Sequence, residues 1–392
     1  MIPFYAEELS NINVLRATIL VDASCDVAQT LQIKDNVLTL KDTIVADLSL
    51  VNTFISTQNL VIAQPNDAFT DSNGLVPWEI KLSLLKSPSL LRSQQNEVKE
   101  WWSSKDVTPK QLHCQHCAAS LIDNAITYQA KDLPSEHWYE LVECWICHET
   151  KPEEHKSRMR PILARSNVIL VGTTYFLLHP NNIATNAIEV NKAVADRQDW
   201  DKGTLTKWIA INCSKCHHAI GEGQYCQENQ LLQLLAVKLF KYSVTPIPTP
   251  VEQPVFTDFF ISDLVNAAKI HATHKFLIQG RQNEQIYSLI WLFNWDTNII
   301  FNHDKETLQR QRVIKVMYLS CKEPTEQARK YIQLWSKDKS TDHLIYPDDV
   351  CHQLVNTLHQ STLILPPFMQ TINHPAMIFY QGFSIGFLRR SD

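Results

Sequence analysis

The chain has 392 residues, enough for two or three domains, and its 44% hydrophobic and 20% charged residues are ordinary for a soluble globular protein. A net charge of −5, a pI near 6.3 and no basic run beyond QRQRVIK (309–315) argue against direct binding to nucleic acid. Only 8 glycines are present, with no GxGxxG or GxxxxGK[ST] pattern, and the longest apolar stretch, VILVGTTYFLL (168–178), is too short and too polar to span a bilayer.

The start, MIPFYAEELS, has no charged segment leading into an apolar one, so it does not read as a signal peptide. The expected location is the cytoplasm or the nucleus, where thiols stay reduced. The 10 cysteines are then metal ligands, buried thiols or reactive thiols, and not a disulfide frame.

From the N-terminus, VLRATILV, LQIKDNVLTL, ADLSLV and LVIA are short β-rich runs, several of them alternating apolar and polar residues. QPND (64–67) and DSNG (71–74) punctuate them as turns. WEIKLSLLK predicts a strand and NEVKEWWSSK a short helix. LPSEHWYELVE reads as loop then helix, and NVILVGTTYFLLH as a pair of buried strands. LLQLLAVKLFKYS (231–243) has the content of a helix, but residues 235–241 alternate, which favours a strand. TPIPTPVEQP (245–254), with four prolines in ten residues, is an extended boundary. A helix follows, with Asp258 as its N-cap and Phe260, Ile261, Leu264, Val265 and Ala268 on one face. KFLIQGRQNEQIYSLIWLFNWDTNIIF predicts two or three strands with turns at GRQNE and WDTN, and RVIKVMYLSC another strand. PTEQARKYIQLWSKD and PDDVCHQLVNTLHQ are helices, and MIFYQGFSIGFLRR holds a last strand. The expected fold class is α+β: a β-rich N-terminal domain (1–110), a zinc-stapled middle region (111–243) and an α+β C-terminal domain (255–392).

The main chemical signal is a pair of CxxC knuckles, Cys114/Cys117 and Cys213/Cys216. Each puts two thiols on one tight turn, and two such turns supply the tetrahedral thiolate set of one structural zinc. The long separation means that the metal would staple two edges of a folded insert. His113, His116, His217 and His218 flank the knuckles and could replace a thiol. A closed four-thiolate site leaves no open coordination position, so it predicts folding and not catalysis.

ECWICHET (143–150) is then surplus. Cys144, Cys147 and His148 could form a second zinc site if His155, His137, Cys226 or Glu143 gave a fourth ligand. They could equally be a buried thiol beside an exposed imidazole, or an exposed interaction segment that Trp145 makes aromatic. Cys351 sits on the apolar face of a predicted helix, and Cys321 and Cys25 also read as packed, whereas Cys226 follows GEGQY as a more exposed thiol. Trp291 and Trp295 read as core. No GxSxG, HExxH or paired-carboxylate motif gives hydrolase chemistry a handle.

Taken in order, these segments carry a family resemblance. A CxxC is followed by LPSEHW, a Cys147-His148 step, VGTTYFLL, a second CxxC leading into IGE, FLIQGR with IYSLIWLFN, IKVMY and a terminal FLRR. The order resembles the HECT-like proteins that bind ubiquitin-conjugating enzymes, from about residue 110 to the end and more loosely before it. The resemblance implies a ubiquitin-protein ligase role with a ubiquitin-conjugating enzyme as partner. For fungal-type members it also implies partnership with the metallo-β-lactamase-type endonuclease of pre-mRNA cleavage and polyadenylation. There Trp145, Cys147 and His148 would form a docking motif in which Cys147 ligates the partner's metal. In HECT enzymes a cysteine follows a Leu-Pro…Thr segment. Here LPPFMQTINHP (365–375) has Ile372 after Thr371, and after residue 226 only Cys321 and Cys351 remain.

Overall fold

A computed structural model describes residues 2–65, 74–85, 99, 101–107, 109–133, 164–200, 206–228, 231–302, 307–372 and 380–391. In chain order the first strands are β1 (Phe4–Leu9), β2 (Val14–Asp22), β3 (Leu31–Lys34), β4 (Val37–Leu40), β5 (Thr43–Asp47), β6 (Phe54–Ala63) and β7 (Leu75–Leu85). Next come β8 (Gln111–Cys114), β9 (Gln129–Asp132), β10 (Val168–Val171), β11 (Tyr175–Leu178), β12 (Ile188–Val190), β13 (Thr206–Cys213), β14 (Ala219–Glu228), β15 (Leu231–Phe240) and β16 (Val244–Ile247). The last are β17 (Lys275–Gly280), β18 (Ile286–Phe301), β19 (Gln309–Ser320), β20 (Thr341–Tyr346) and β21 (Ser384–Arg389). The three long helices are α1 (Phe256–His271), α2 (Glu326–Lys337) and α3 (Asp348–Thr362).

The chain forms two compact units. The first takes residues 1–98, 264–280 and 284–392; the second takes residues 99–263 with 281–283. The first therefore draws on both ends of the chain, where the sequence suggested separate N- and C-terminal domains. The reason is one set of backbone hydrogen bonds: β1 pairs antiparallel with β18, Tyr5 opposite Phe301 and Glu8 opposite Asn298. This places β6, β7, β2, β1, β18, β17 and β20 in one nine-stranded sheet, with β19 and β21 joined through β18.

β18 makes this possible by its length. Residues 286–291 pair with β17, residues 298–301 pair with β1, and β19 runs along its other edge. Between those halves the register slips at Leu292/Asn294 and Asn294/Thr297. WDTN is thus not a turn, as its composition suggested, but lies in the irregular stretch of a continuous strand. Extra residues there bend the strand without breaking it.

Buried ion pairs fix β1 in place. Arg310 Nε and Nη2 each donate to the Glu8 carboxylate at 2.8 Å, while Thr53 Oγ1 and Asn298 Nδ2 donate to the same group at 2.7 and 2.9 Å. On the preceding residue, Lys315 Nζ and the Tyr5 hydroxyl donate to Glu7 at 2.6 and 2.7 Å. Burial, then the neighbouring Glu7 charge, holds the Tyr5 phenol well above its usual range. Several donors converging on each carboxylate are what make a buried charge tolerable.

α2 opens at Thr325, whose hydroxyl accepts the Ala328 N–H, and α3 buries Cys351, Leu354, Val355 and Leu358 as the periodicity predicted. α1 starts two residues before the expected cap. Asp258 lies inside its first turn and its carboxylate reaches back to the Val255 N–H at 2.9 Å, the return half of a capping box.

In the second unit the sheet order is β12-β13-β14-β15-β11-β10-β9, with β16 and β8 as a separate antiparallel pair. Residues 231–240 are strand, so alternation outweighed the helical content of LLQLLAVKLF. Its core gathers Leu112, Leu121, Ile122, Phe176, Leu178, Ile209, Ile211, Val237 and Leu239 with Trp101, Trp102 and Phe259. Cys114 and Cys213 belong to that core, and Cys117 and Cys216 pack against it.

Candidate metal centre

The two knuckles are built alike. β8 ends at Cys114 and β13 ends at Cys213. In each, the residue four places on turns back, with Ala118 N–H bonding to the Cys114 carbonyl and His217 N–H to the Cys213 carbonyl. Both turning residues take the left-handed conformation, with φ of 55° and 59°. The chain then reverses, so the Cys114 N–H reaches the Ala119 carbonyl and the Cys213 N–H reaches that of His218.

Sheet neighbours hold the turns in register. Val244 of β16 lies opposite Cys114, and Gln115 N–H bonds to the Ser243 carbonyl. Ile188 of β12 lies opposite Cys213, and Ser214 N–H bonds to the Ala187 carbonyl. Gly221, near the start of β14, allows the close passage of β15. A Cβ there would sit 1.8 Å from the Lys238 carbonyl oxygen, so any side chain forces the backbones apart.

These elements bring four sulfurs together. Cys114 Sγ is 3.7 Å from Cys216 Sγ, Cys117 Sγ is 3.6 Å from Cys213 Sγ, and all four lie within 4.8 Å of one another. Four thiolates about 2.3 Å from a tetrahedral ion are separated by about 3.8 Å, so the set fits such an ion. Among the described residues it is the one cluster of three or more metal-ligating groups. Cys114 and Cys213 are buried, and Cys117 and Cys216 are half-buried.

Electrostatics favours a cation here. Burial pushes the Cys114 thiol up to about 12 and also raises Cys216. Cys117, whose sulfur accepts the Ala119 N–H, is held at about 7. Crowded, partly buried thiols cannot all ionise alone, whereas a divalent cation among them stabilises each thiolate directly. The four cysteines can therefore hold a metal ion.

The flanking histidines are engaged elsewhere. His217 Nδ1 lies 2.5 Å from Glu189 Oε1, and His113 Nε2 lies 3.1 Å from Gln111 Oε1. His116 and His218 stack on each other with centroids 4.9 Å apart. None belongs to the sulfur cluster. Trp145, Cys147 and His148, with Cys144 and the rest of ECWICHET, lie outside the described residues.

The C-terminal thiols are poor nucleophiles. Cys351 is fully buried against the Gln279 and Tyr346 carbonyls, and burial pushes Cys321 up to about 12. Ile372, where a HECT cysteine would stand, has its N–H on the Phe383 carbonyl at 2.8 Å and packs against the neighbouring core.

One supporting residue carried no signal in the sequence. Lys241 is 2% exposed, and its Nζ donates to the Trp101 and Trp102 carbonyls at 2.7 and 3.1 Å, beneath the Phe176 ring. It ties the Trp-Trp corner to the end of β15. Only the tertiary arrangement supplies carbonyls that make a buried lysine tolerable.

Comparison with known proteins follows the same span. A family model described as HECT-like ubiquitin-conjugating enzyme (E2)-binding matches residues 7–376. The chain belongs to this HECT-like E2-binding family. Within the family it is 24% identical over 308 residues to a human E3 ubiquitin-protein ligase, covering 71% of this chain and 72% of that protein. The Pongo abelii protein of the same name is 24% identical over 303 residues, with 71% and 72% covered. An uncharacterised protein of Saccharomyces cerevisiae is 25% identical over 215 residues, covering 53% of this chain and 52% of its own. The family match takes in both units, so the four sulfurs lie within the matched span of this HECT-like chain.

Proposed function

We propose that this protein binds a ubiquitin-conjugating enzyme and promotes ubiquitin transfer as a scaffold, on a fold stapled by one structural zinc. The family match over residues 7–376 supports the choice of partner. The burial of Cys321 and Cys351 supports a non-covalent route, because neither offers a sulfur that a ubiquitin thioester could reach. Such a scaffold works by holding the charged enzyme's thioester in a reactive orientation, which needs no thiol of its own. Zinc is the ion that suits four thiolates in closed tetrahedral array, and a reducing compartment, cytoplasm or nucleus, keeps them reduced.

A single-turnover assay tests this reading. Ubiquitin loss from a charged conjugating enzyme is expected to speed up when the protein is added, equally for wild type and for the double variant C321A/C351A. A reducing-agent-sensitive ubiquitin adduct on either cysteine would replace the scaffold with a covalent mechanism. No acceleration and no binding would end the ligase reading.

A second reading rests on the completeness of the four-sulfur set. Those thiols satisfy a tetrahedral ion without help from Cys144, Cys147 or His148. On this reading Cys147 and His148, beside Trp145, dock onto the metal-dependent endonuclease of pre-mRNA cleavage and polyadenylation, and the protein acts as its inhibitor or assembly chaperone. Cys147→Ala is expected to weaken that complex while zinc content stays at one per chain. Unchanged binding in both Cys147→Ala and His148→Ala would exclude it. No role in direct nucleic-acid binding is invoked. Among the described residues no helix is long and apolar enough to cross a membrane.

A further inference from the structure

The four sulfurs are not equivalent. Each knuckle contributes one buried thiol, Cys114 or Cys213, and one half-buried thiol, Cys117 or Cys216. All four sulfurs lie within 4.8 Å of one another, and two short separations run across the site from one knuckle to the other. Half-buried Cys216 faces buried Cys114 at 3.7 Å, and half-buried Cys117 faces buried Cys213 at 3.6 Å. An oxidant arriving from solvent meets Cys117 and Cys216 first. For each, a resolving thiol from the other knuckle is already in place, the arrangement that marks a redox-responsive cysteine pair.

We propose that this centre is a peroxide-responsive staple that exchanges its metal for two cross-knuckle disulfides, Cys114–Cys216 and Cys117–Cys213. The inference rests on the metal reading of the site given above. In each pair the half-exposed thiolate attacks a peroxide oxygen, the O–O bond breaks, and a sulfenic acid and hydroxide form. The buried thiolate then attacks that sulfur, forming the S–S bond and expelling a second hydroxide. Two peroxides thus take four electrons from four thiolates, and the divalent ion leaves because thiolate ligands no longer hold it.

The pairing decides the consequence. Disulfides across the site join β8 to β13 as the metal did, so the second unit stays folded after the metal has gone. Disulfides within Cys114–Cys117 and Cys213–Cys216 would close two separate turns and leave the knuckles unconnected. The geometry makes oxidation a reversible change in metal occupancy and not a route to unfolding.

The test uses the purified full-length chain carrying its metal. Hydrogen peroxide is added stepwise, released metal is read with a chromophoric chelator, and disulfides are mapped by mass spectrometry of non-reduced peptides. About two peroxides per metal released, the two cross-knuckle links, unchanged far-UV circular dichroism, and recovery with a dithiol plus zinc are expected. Links within each CxxC, or sulfinic acids without disulfides, would overturn the proposal. A chain purified without metal would count against the zinc reading instead, and mapping the disulfides of that chain still decides the pairing. Cys117→Ser should abolish the Cys117–Cys213 link and leave Cys114–Cys216 intact; loss of both would contradict independent pairs.

Discussion

The two units reach stability by different means. The first closes a nine-stranded sheet from both ends of the chain, and its special contacts are carboxylates buried beneath arginine and lysine. The second builds a seven-stranded sheet whose knuckles meet at four sulfurs. In the first unit, burying Glu8 without Arg310 would cost several kcal/mol, so charge pairing enforces the register of β1. In the second unit four close sulfurs can hold a cation, and on the zinc reading proposed above its assembly would draw on a component from outside the chain. The second unit also has a buried pair of its own, Arg281 with Glu222, so the four-sulfur set is what distinguishes it.

Metal removal should separate the units most sharply. Chelation at neutral pH is expected to destabilise the second unit alone, since a structural zinc site can carry about 10 kcal/mol of apparent folding free energy. Hydrogen exchange is the readout: amides of β13 and β14 should lose protection while those of β18 and β19 keep it. Equal loss in both would abolish the contrast.

Glu8→Ala tests the other side. It leaves Arg310 facing an empty site and should destabilise the first unit by about 3–5 kcal/mol, measured by urea denaturation. The metal content of the second unit should not change. A loss below about 1 kcal/mol would make this an ordinary surface pair.

Cys351→Ala should have a smaller effect. It removes one buried sulfur from under α3 and should cost about 1–2 kcal/mol, with conjugating-enzyme discharge intact. Loss of discharge in a folded variant would make this thiol a participant.

The smallest effect concerns acid. Hydrogen bonds from Lys275 and Ser340 hold the Asp338 carboxyl down to about 2. A folded-state value below the unfolded one of about 3.9 adds stability above that pH, and the stability is lost as pH falls through about 2. Asp338→Asn should therefore lower thermal stability modestly at pH 7, where the contribution is fully present, and flatten the acid limb between about pH 4 and 2, so that variant and wild type converge at the acid end. An unchanged acid limb would show that the Lys275 pair contributes nothing measurable.

The zinc-type knuckles were legible because a CxxC is a local signal: two thiols three residues apart fit one turn, and two such turns need one another. Residues 231–240 were legible as a strand because alternation reports which faces are wet. WDTN misled because turn composition also suits an irregular strand, and only the pairing of β18 on both edges decides between them. The N- and C-terminal regions looked separate because a hydrogen bond from β1 to β18 leaves no trace in local pattern.

The sequence by itself determined which thiols would come together, four cysteines in two knuckles, that no cysteine follows the C-terminal Leu-Pro…Thr segment, and an order of motifs shared with one family. Short-range patterns suffice for these, since they depend on neighbours along the chain. Tertiary structure alone decided that β1 completes the C-terminal sheet, that Lys241 is buried under the Trp-Trp corner, and that each half-exposed sulfur faces a buried one from the other knuckle. These contacts join residues about a hundred or more positions apart. Their energies come from desolvation and pairing at the point of contact, and a sequence does not show where that point will be.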